Sequence, residues 1–312
     1  MSATPTSSRV TAGAQPTLEY ALPPGHSLRG YRILHTIGAG GFGITYLAEE
    51  PTTHRRVVLK ENFPASLCYR RPDSPEVLLN PADSAESSFA WAHNNFMREA
   101  RLLASLHHPH IAKVYTFFEA YNTSYYVTEH IAGQPLAEVA AAHAQLGQLL
   151  PQAGLLGTLV RVLDALDYIH SRDLLHRDIK PNNILIRKNG LPVLIDFGAA
   201  RDACGDADPN VVESLGFSPA EQGNSGSDNM GPWTDLYSLG ATLYYITTGQ
   251  PLLPCRQREL YDTADTLSEL PELLAVYDKV FLATIDRAIR PIIAGRFASA
   301  AEWIAALRPL FG

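Results

Sequence analysis

No run of 18 apolar residues occurs in the 312-residue chain, so no segment is a candidate for a membrane-spanning helix. Basic charge is scarce as well. Against 32 Asp and Glu stand 25 Lys and Arg, and a net charge of −7 gives no electrostatic footprint for nucleic acid or an anionic membrane. A local basic patch stays compatible with that balance. Cysteine is rarer still: Cys68, Cys204 and Cys255 are far apart, none at metal-ligand spacing, and an odd, sparse count reads as reduced thiols. The N-terminus, MSATPTSSRVTAGAQPT, lacks the apolar core of a signal peptide. These absences point to a soluble chain of the cytoplasm, and leave open whether it acts in its own cell or is delivered into another.

What is present suffices for a large core. Hydrophobic residues make up 46% and charged residues 18%, which is not the balance of a disordered chain. Residues 1–29 carry Pro5, Pro16, Pro23, Pro24 and Gly25 without a period, and read as a flexible leader rich in Ser, Thr and Pro. From Tyr31 the pattern is strand, glycine turn, strand, with a third strand over 56–61. Pro64, Pro72, Pro75 and Pro81 make 62–90 a long excursion without regular elements. A helix is expected over 96–106, then strands over 112–118 and 124–131. Beyond Gly133 the chain turns helical. Leu159, Val162, Leu163, Leu166 and Ile169 mark one buried face; Leu236, Leu239, Leu243 and Ile246 mark another; Ala300, Trp303 (or Ile304) and Leu307 mark a third. The expected class is α+β, with a β-rich lobe over 30–131, a helical lobe over 132–312, and a ligand cleft between them.

The chemistry-bearing residues fall into short clusters. Gly38, Gly40 and Gly43, with Gly41 inside the run, spell G-x-G-x-x-G, a pattern shared by dinucleotide sites and phosphate-covering hairpins. A dinucleotide site needs a helix next and an acidic residue about 20 positions on. Here a strand follows, and Lys60 stands 17 positions after Gly43, which favours the hairpin. Lys60 ends the apolar run Val57-Val58-Leu59; it is either an ordinary solvated lysine or a cation facing phosphates, with Glu99 a candidate partner. Asp178 lies in HRDIKPNN and Asp196 in DFG, 18 positions later, with a short hairpin over 184–195 between them. An aspartate beside a hydroxyl can orient it and accept its proton, Lys180 can neutralise phosphoryl charge, and Asn183 and Asp196 offer the hard oxygens that Mg²⁺ prefers.

As an ordered set, GAGGFG, VVLK, Glu99, HRDIKPNN, DFG and Pro219-Ala220-Glu221, the sequence resembles the eukaryotic-like protein kinases. The lysine of HRDIKPNN and the spellings GFGITYLA, DFGAAR and GFSPAEQ are similar to the bacterial serine/threonine branch, and to its group with a KE-x-F-P stretch, here Lys60 to Pro64. The resemblance runs from Tyr31 to Leu310. It implies a two-lobed kinase fold that transfers the γ-phosphoryl of ATP to protein Ser or Thr, with Mg²⁺ (or Mn²⁺) as the metal. It further implies that Gly38, Gly40, Gly41, Gly43, Val58, Thr128, Glu129 and Ile131 surround ATP and that Lys60 holds its α- and β-phosphates while paired to Glu99. Asp178 would be the base, assisted by Lys180, with Asn183 and Asp196 holding metal. Asp235 would be the buried aspartate of the central helix, and Arg296 the partner of Glu221.

Some features depart from the family. Thr45 and Val58 alter the adenine ceiling. Between Lys60 and Glu99 lie 38 residues, roughly twice the family's usual stretch, forming an insertion that either packs beside the regulatory helix, binds a partner, or is a solvated loop. Residues 199–213 carry no Ser, Thr or Tyr, so activity is expected without loop phosphorylation; Asp202, Asp206 or Asp208 would face Arg177, or merely water. Ser214 is expected to hydrogen-bond Asp178 and Lys180. The leader, residues 2–17, is a candidate autophosphorylation target. His107, His108 and His110 read as a turn rather than a metal cluster, and Trp91, Trp233 and Trp303 as helix packing. Two other classes stay in view: a nucleotide-binding scaffold, against which Lys60, Asp178 and Asp196 stand, and a small-molecule kinase, against which Glu221 and Arg296 stand. Expected partners are ATP and a Ser/Thr-bearing protein, with no nucleic acid and no membrane anchor.

Overall fold

The computed structural model describes residues 18–41, 43–81, 85–197, 201–202, 214, 216–223, 229–261 and 266–311. The chain divides into two units: residues 1–100 with 115–130, and residues 101–114 with 131–312.

The first unit is built on a six-stranded sheet. Its strands are β1 (Ser27–Leu28), β2 (Tyr31–Ala39), β3 (Gly43–Glu50), β4 (Arg55–Asn62), β7 (Val114–Ala120) and β8 (Thr123–Glu129), in the order β1-β2-β3-β4-β8-β7. Two further strands, β5 (Cys68–Arg70) and β6 (Val77–Leu79), pair apart from it, and α1 (Ala85–Ala104) precedes β7. Period-two alternation decides the faces. Val57, Leu59 and Glu61 of β4 are buried, whereas Val58 and Lys60 between them are only partly so. The apolar face gathers Ile33, Ile44, Tyr46, Val57, Leu59, Tyr125 and Val127 into one core.

Three expectations change here. The sequence suggests a flexible leader through residues 18–28, yet Leu18–Tyr20 form a helical turn, β1 pairs with β2, and Leu22 and Leu28 are each 2% exposed within that core. Isolated leucines on extended chain leave no period to read, so the burial was invisible in sequence. Residues 1–17 lie outside the described residues. The excursion over 62–90 was expected to lack regular elements. Instead Cys68 pairs with Leu79 in a hairpin whose bend holds Pro72 and Pro75, positions where proline removes no ladder bond. Its Phe63, Cys68 and Val77 join the core beside Leu22 and Leu28. Helix α1 also begins earlier than 96, because Ser87, Ser88, His93, Asn94 and Asn95 are poor helix formers that mask the period of its first turns.

The second unit is mostly helical: after β9 (Gly133–Pro135) come α2 (Leu136–Gln145) and α3 (Gln152–His170). The short strand β10 (Leu174–Leu175) leads to the hairpin β11 (Ile184–Arg187) and β12 (Pro192–Leu194), and β9 adds to its edge. Then follow α4 (Pro232–Thr248), α5 (Cys255–Tyr261), α6 (Pro271–Leu274), α7 (Lys279–Ala288) and α8 (Ala300–Ala306). The five apolar residues predicted on α3 are all fully buried, as is Trp303. Ile304 is not, which resolves that alternative. Trp91 is 40% exposed, unlike the packed tryptophan expected there. Among the described residues no helix is long and apolar enough to cross a membrane.

Candidate active site

In the second unit the segment 176–183 is fixed from beneath by Asp235. This carboxylate, fully buried on α4, accepts the backbone N–H groups of His176 (2.9 Å) and Arg177 (2.8 Å) and the His170 Nε2–H (2.8 Å). Burial pushes its pKa up, but the hydrogen bonds it accepts from His170 and from the Arg177 N–H hold that pKa below the usual carboxylate range. Gln222 Nε2–H donates to the Arg177 carbonyl at 2.7 Å, so the peptide groups on both sides of Arg177 are held. The grip matters because Arg177 sits at φ 63°, a left-handed conformation that costs a non-glycine residue about 1–3 kcal/mol. Asp196 has φ 62° and is strained in the same way. Neither strain was legible in the sequence.

His176 is buried and neutral. Its Nδ1 accepts the Asp178 N–H at 3.3 Å, and its Nε2–H then donates to the Ile195 carbonyl at 3.2 Å, which fixes the tautomer. Burial pushes its pKa down, against the pull of Asp235, Asp178 and Asp196. The ring lies 4.3 Å from that of Phe197 and tilted 47° to it, so a single imidazole ties the start of one motif to the other.

Asp178 is the centre of a converging set. Lys180 Nζ donates to both its oxygens (3.0 and 2.8 Å), Ser214 Oγ–H to Oδ1 (2.9 Å), and Asn183 Nδ2–H to Oδ2 and to the Asp178 carbonyl (each 2.8 Å). Lys180 Nζ also lies 3.5 Å from Ser214 Oγ, completing the contacts expected of Ser214. With its amide hydrogens engaged on Asp178, Asn183 keeps its side-chain carbonyl oxygen for other partners. Ile195 N–H donates to the Asn183 carbonyl at 3.0 Å, and Ile184 pairs with Leu194, so the hairpin register brings Asp196 beside Asn183. The Asn183 amide oxygen and the exposed Asp196 carboxylate are oxygen types that suit a hard cation keeping water or phosphate oxygens in its shell. Further on, Arg296 donates to both oxygens of Glu221 (2.6 and 3.3 Å), the pairing expected of them. Gly198 and the aspartates expected to face Arg177 lie outside the described residues or their described side chains.

The histidine run is spent on other partners. His107 N–H donates to Tyr168 Oη (3.0 Å), His108 Nε2 meets Asp164 (3.1 Å), and His110 Nδ1 meets the Pro192 carbonyl (2.8 Å). Among the described residues no group of three or more His, Cys, Asp or Glu is placed to hold a metal.

In the first unit, Lys60 pairs with Thr45 of β3 and Tyr126 of β8, so the three share one face of the sheet. Lys60 Nζ lies 5.7 Å from the Tyr126 ring centre, and Tyr126 Oη–H donates to Glu99 Oε1 at 3.1 Å. Tyr126, which the sequence reading passed over, thereby touches both members of the expected Lys60–Glu99 pair. Val58 pairs with Thr128 and Val57 with Glu129 along the same ladder. Gly38 is the last residue but one of β2, Gly40 and Gly41 follow that strand, and Gly43 opens β3, with Gly40 N–H bonded to the Gly43 carbonyl at 3.0 Å. Only Gly43 is sterically obligatory: a Cβ there would stand 2.4 Å from the Glu61 carbonyl oxygen, whereas Gly40 and Gly41 face open space. Ile131 is the first residue of the second unit after the crossing and is 5% exposed.

The profile of the protein kinase domain matches residues 76–289, more than half of the chain. The chain belongs to the protein kinase family. Its motifs and relatives place it in the eukaryotic-like bacterial serine/threonine branch. It is 32% identical over 293 residues to serine/threonine-protein kinase PknA of Nostoc sp. strain PCC 7120, covering 89% of this chain and 47% of the relative. It is 30% identical to serine/threonine-protein kinase PrkC of Bacillus subtilis strain 168 over 223 residues, 70% of this chain and 30% of that protein. The chain thus spans about half or less of the length of these curated relatives. A solved structure described as the apo form of PpkA-294 is similar over 92% of this chain and 99% of its own, with TM-score 0.79 and 32% identity. The kinase domain of Mycobacterium tuberculosis PknI, at 24% identity and TM-score 0.63, supports the fold alone.

Proposed function

We propose that the chain is an active serine/threonine protein kinase, transferring the γ-phosphoryl of ATP to a protein hydroxyl with Mg²⁺ or Mn²⁺ as the metal. The observation that carries this is the convergence on Asp178 of Lys180, Asn183 and Ser214, with Asp196 placed beside Asn183 by the hairpin. Bound metal–ATP supplies the transferable phosphoryl group and the cationic charge that offsets its oxygens. Asn183 Oδ1 and the Asp196 carboxylate would hold that metal. Asp178 orients the acceptor hydroxyl and takes its proton at a carboxylate oxygen, an effect worth roughly 10²–10⁴-fold. Both oxygens already accept hydrogen bonds, so the entering hydroxyl displaces one donor; Lys180, which donates to both, can release one bond while Ser214 keeps the carboxylate in place. Lys180 is then left to meet charge on the phosphoryl group. Lys60 would contact the α- and β-phosphates under Gly38, Gly40, Gly41 and Gly43, while Val58, Thr128, Glu129 and Ile131 would meet adenine.

The reading extends to regulation and location. With no Ser, Thr or Tyr over 199–213, activity would need no loop phosphate, and residues 2–17 would be autophosphorylated. The protein would work in the cytoplasm. The test is transfer from γ-labelled ATP by the wild type and Asp196→Ala, beside a generic basic acceptor, with phosphosites mapped by mass spectrometry. Labelling lost in the variant supports the reading. Unlabelled protein that still binds ATP refutes it in favour of a nucleotide-binding scaffold, and stoichiometric phosphate on Ser214 of fully active enzyme refutes the independence from loop phosphate.

A further inference from the structure

Glu61 follows Lys60 on β4, and the pleat sends it to the opposite face of the sheet. There it is fully buried and meets a concentrated set of donors. Tyr46 Oη–H donates to Oε2 (2.6 Å), Tyr125 Oη–H donates to Oε1 (2.5 Å), and the Arg70 guanidinium closes an ion pair with Oε1. Tyr46 and Tyr125 are the strands' own contributions, from β3 and β8. Arg70 comes from the insertion. Burial first, and the Glu61 charge second, push both tyrosine pKa values far up, so the hydroxyls stay protonated donors. Cys68 beside them is pushed up to about 12 for the same reasons and remains a thiol bonded to the Pro64 carbonyl.

Arg70 does more than neutralise Glu61. Its other nitrogens donate to the Tyr20 carbonyl (2.5 Å) and the Pro75 carbonyl (2.8 Å), and the Leu22 N–H donates to Tyr46 Oη (3.1 Å). One guanidinium therefore joins the N-terminal segment, the insertion and β4. The same stretch reaches the glycine turn: the Glu61 carbonyl abuts Gly43, and Ala65 N–H donates to the Gly41 carbonyl at 3.3 Å.

We propose that Glu61 and Arg70 are positioning residues for nucleotide binding, a buried bolt through which residues 20–22 and the insertion hold Lys60 and the glycine turn in place. A sheet needs apolar cover on this face to be stable, and Leu22, Leu28, Phe63 and Val77 provide it. Cover alone does not require a buried ion pair, which well-packed apolar residues replace at little or no loss of stability. The pair instead supplies direction: a fork bonded to three separate segments fixes the register of the strand that carries Lys60. The proposal rests on Lys60 contacting nucleotide, and its test separates the two.

The experiment uses the full chain, with nucleotide affinity measured by displacement of a fluorescent ATP analogue and amide hydrogen exchange measured without nucleotide. The central variant is Glu61→Gln with Arg70→Met, which removes both charges yet leaves an amide able to accept from one tyrosine and donate to the other. Expected are a cooperative thermal transition, a nucleotide Kd raised about tenfold with kcat at saturating ATP much less affected, and faster exchange over 40–45 and 58–62. Arg70→Lys keeps the cation but cannot reach Tyr20 and Pro75 together, and is expected to raise Kd about threefold as the milder second variant. Wild-type Kd and exchange in whichever of the two folds would overturn the proposal. Lys60→Ala is the reference. If it weakens nucleotide binding while the double variant does not, the bolt alone is refuted; if it changes nothing, the nucleotide reading of Lys60 fails and the bolt has nothing to position.

Discussion

Replacing Arg296 by Met tests whether burial, rather than distance, sets the worth of an ion pair here. Arg296 is fully buried, donates twice to Glu221 and once each to the Arg290 (2.7 Å) and Pro291 (2.6 Å) carbonyls, and stacks 4.6 Å from the Tyr237 ring. Removing it leaves the Glu221 carboxylate, 7% exposed, with the Thr234 hydroxyl (3.2 Å) as its remaining side-chain donor. Breaking one side of a buried pair costs about 3–5 kcal/mol. At about 2–4 °C per kcal/mol for a domain of this size, Tm should fall by roughly 6–20 °C. The control is Arg287→Met. Arg287 also contacts a carboxylate closely, that of Glu302, but the two side chains are 38% and 39% exposed, and solvent screening limits such a pair to about 0–1 kcal/mol. Urea unfolding followed by tryptophan fluorescence, at unchanged m, gives both values. Equal losses in the two variants, or a loss below about 1 kcal/mol for Arg296→Met, would refute the reasoning. A functional consequence should accompany the large loss. Glu221 precedes Gln222, whose side chain holds the Arg177 carbonyl, so kcat should fall along with stability.

Gly43→Ala should destabilise by about 1–3 kcal/mol and weaken ATP binding, because its Cβ meets a backbone carbonyl that cannot yield. Gly40→Ala, in open space, should stay within about 0.5 kcal/mol, and equal effects in thermal scans would contradict the packing account. Ser214→Ala removes a hydrogen bond to the Asp178 carboxylate and should lower kcat about tenfold, with Ser214→Thr near wild type. Steady-state kinetics showing unchanged kcat in the alanine variant would reduce Ser214 to a bystander. Acidification should destabilise. His176, His26, His108 and His130 all have pKa values lowered in the fold, first by burial, so their stabilising contribution is complete above about pH 6.5 and is lost as pH falls below it. Tm measured at pH 7.5, 6.5 and 5.5 should fall monotonically, and a flat or rising curve would show the opposite sign.

Legibility followed the kind of signal each element leaves. The helix α3 and the strands β4 and β8 were readable because a packed face recurs every three to four residues or every two. The chemical residues of the second unit were readable because short motifs carry them, and the hairpin register that sets Asp196 beside Asn183 could be inferred from the interval between them. Residues 18–28 and the β5–β6 hairpin were not readable, since Leu22, Phe63, Cys68 and Val77 enter the core one at a time from extended chain. Buried polar contacts are harder again. Nothing adjacent to Arg70 in sequence announces Glu61, Tyr20 and Pro75 as its partners, and nothing near Tyr126 announces Glu99. The left-handed backbone of Arg177, held by Asp235 and Gln222, shares their invisibility.

The two units solve one positioning problem by different means. In the second, Asp235 and Gln222 hold the peptide groups before and after Arg177, with donors and acceptors supplied by one packed helix and the turn before it. The first unit has a sheet whose apolar face would otherwise meet water, and covers it with chain from before β2 and from between β4 and α1. A cover assembled from two separate segments can slide over an apolar surface, because dispersion and hydrophobic contact are not directional. A buried carboxylate shared by two tyrosines and an arginine is directional, and leaving any one of those groups unpaired costs more than a lost methyl contact. The Glu61 cluster therefore converts a non-specific cover into a fixed one, and the residue it fixes most directly is its neighbour on the strand, Lys60.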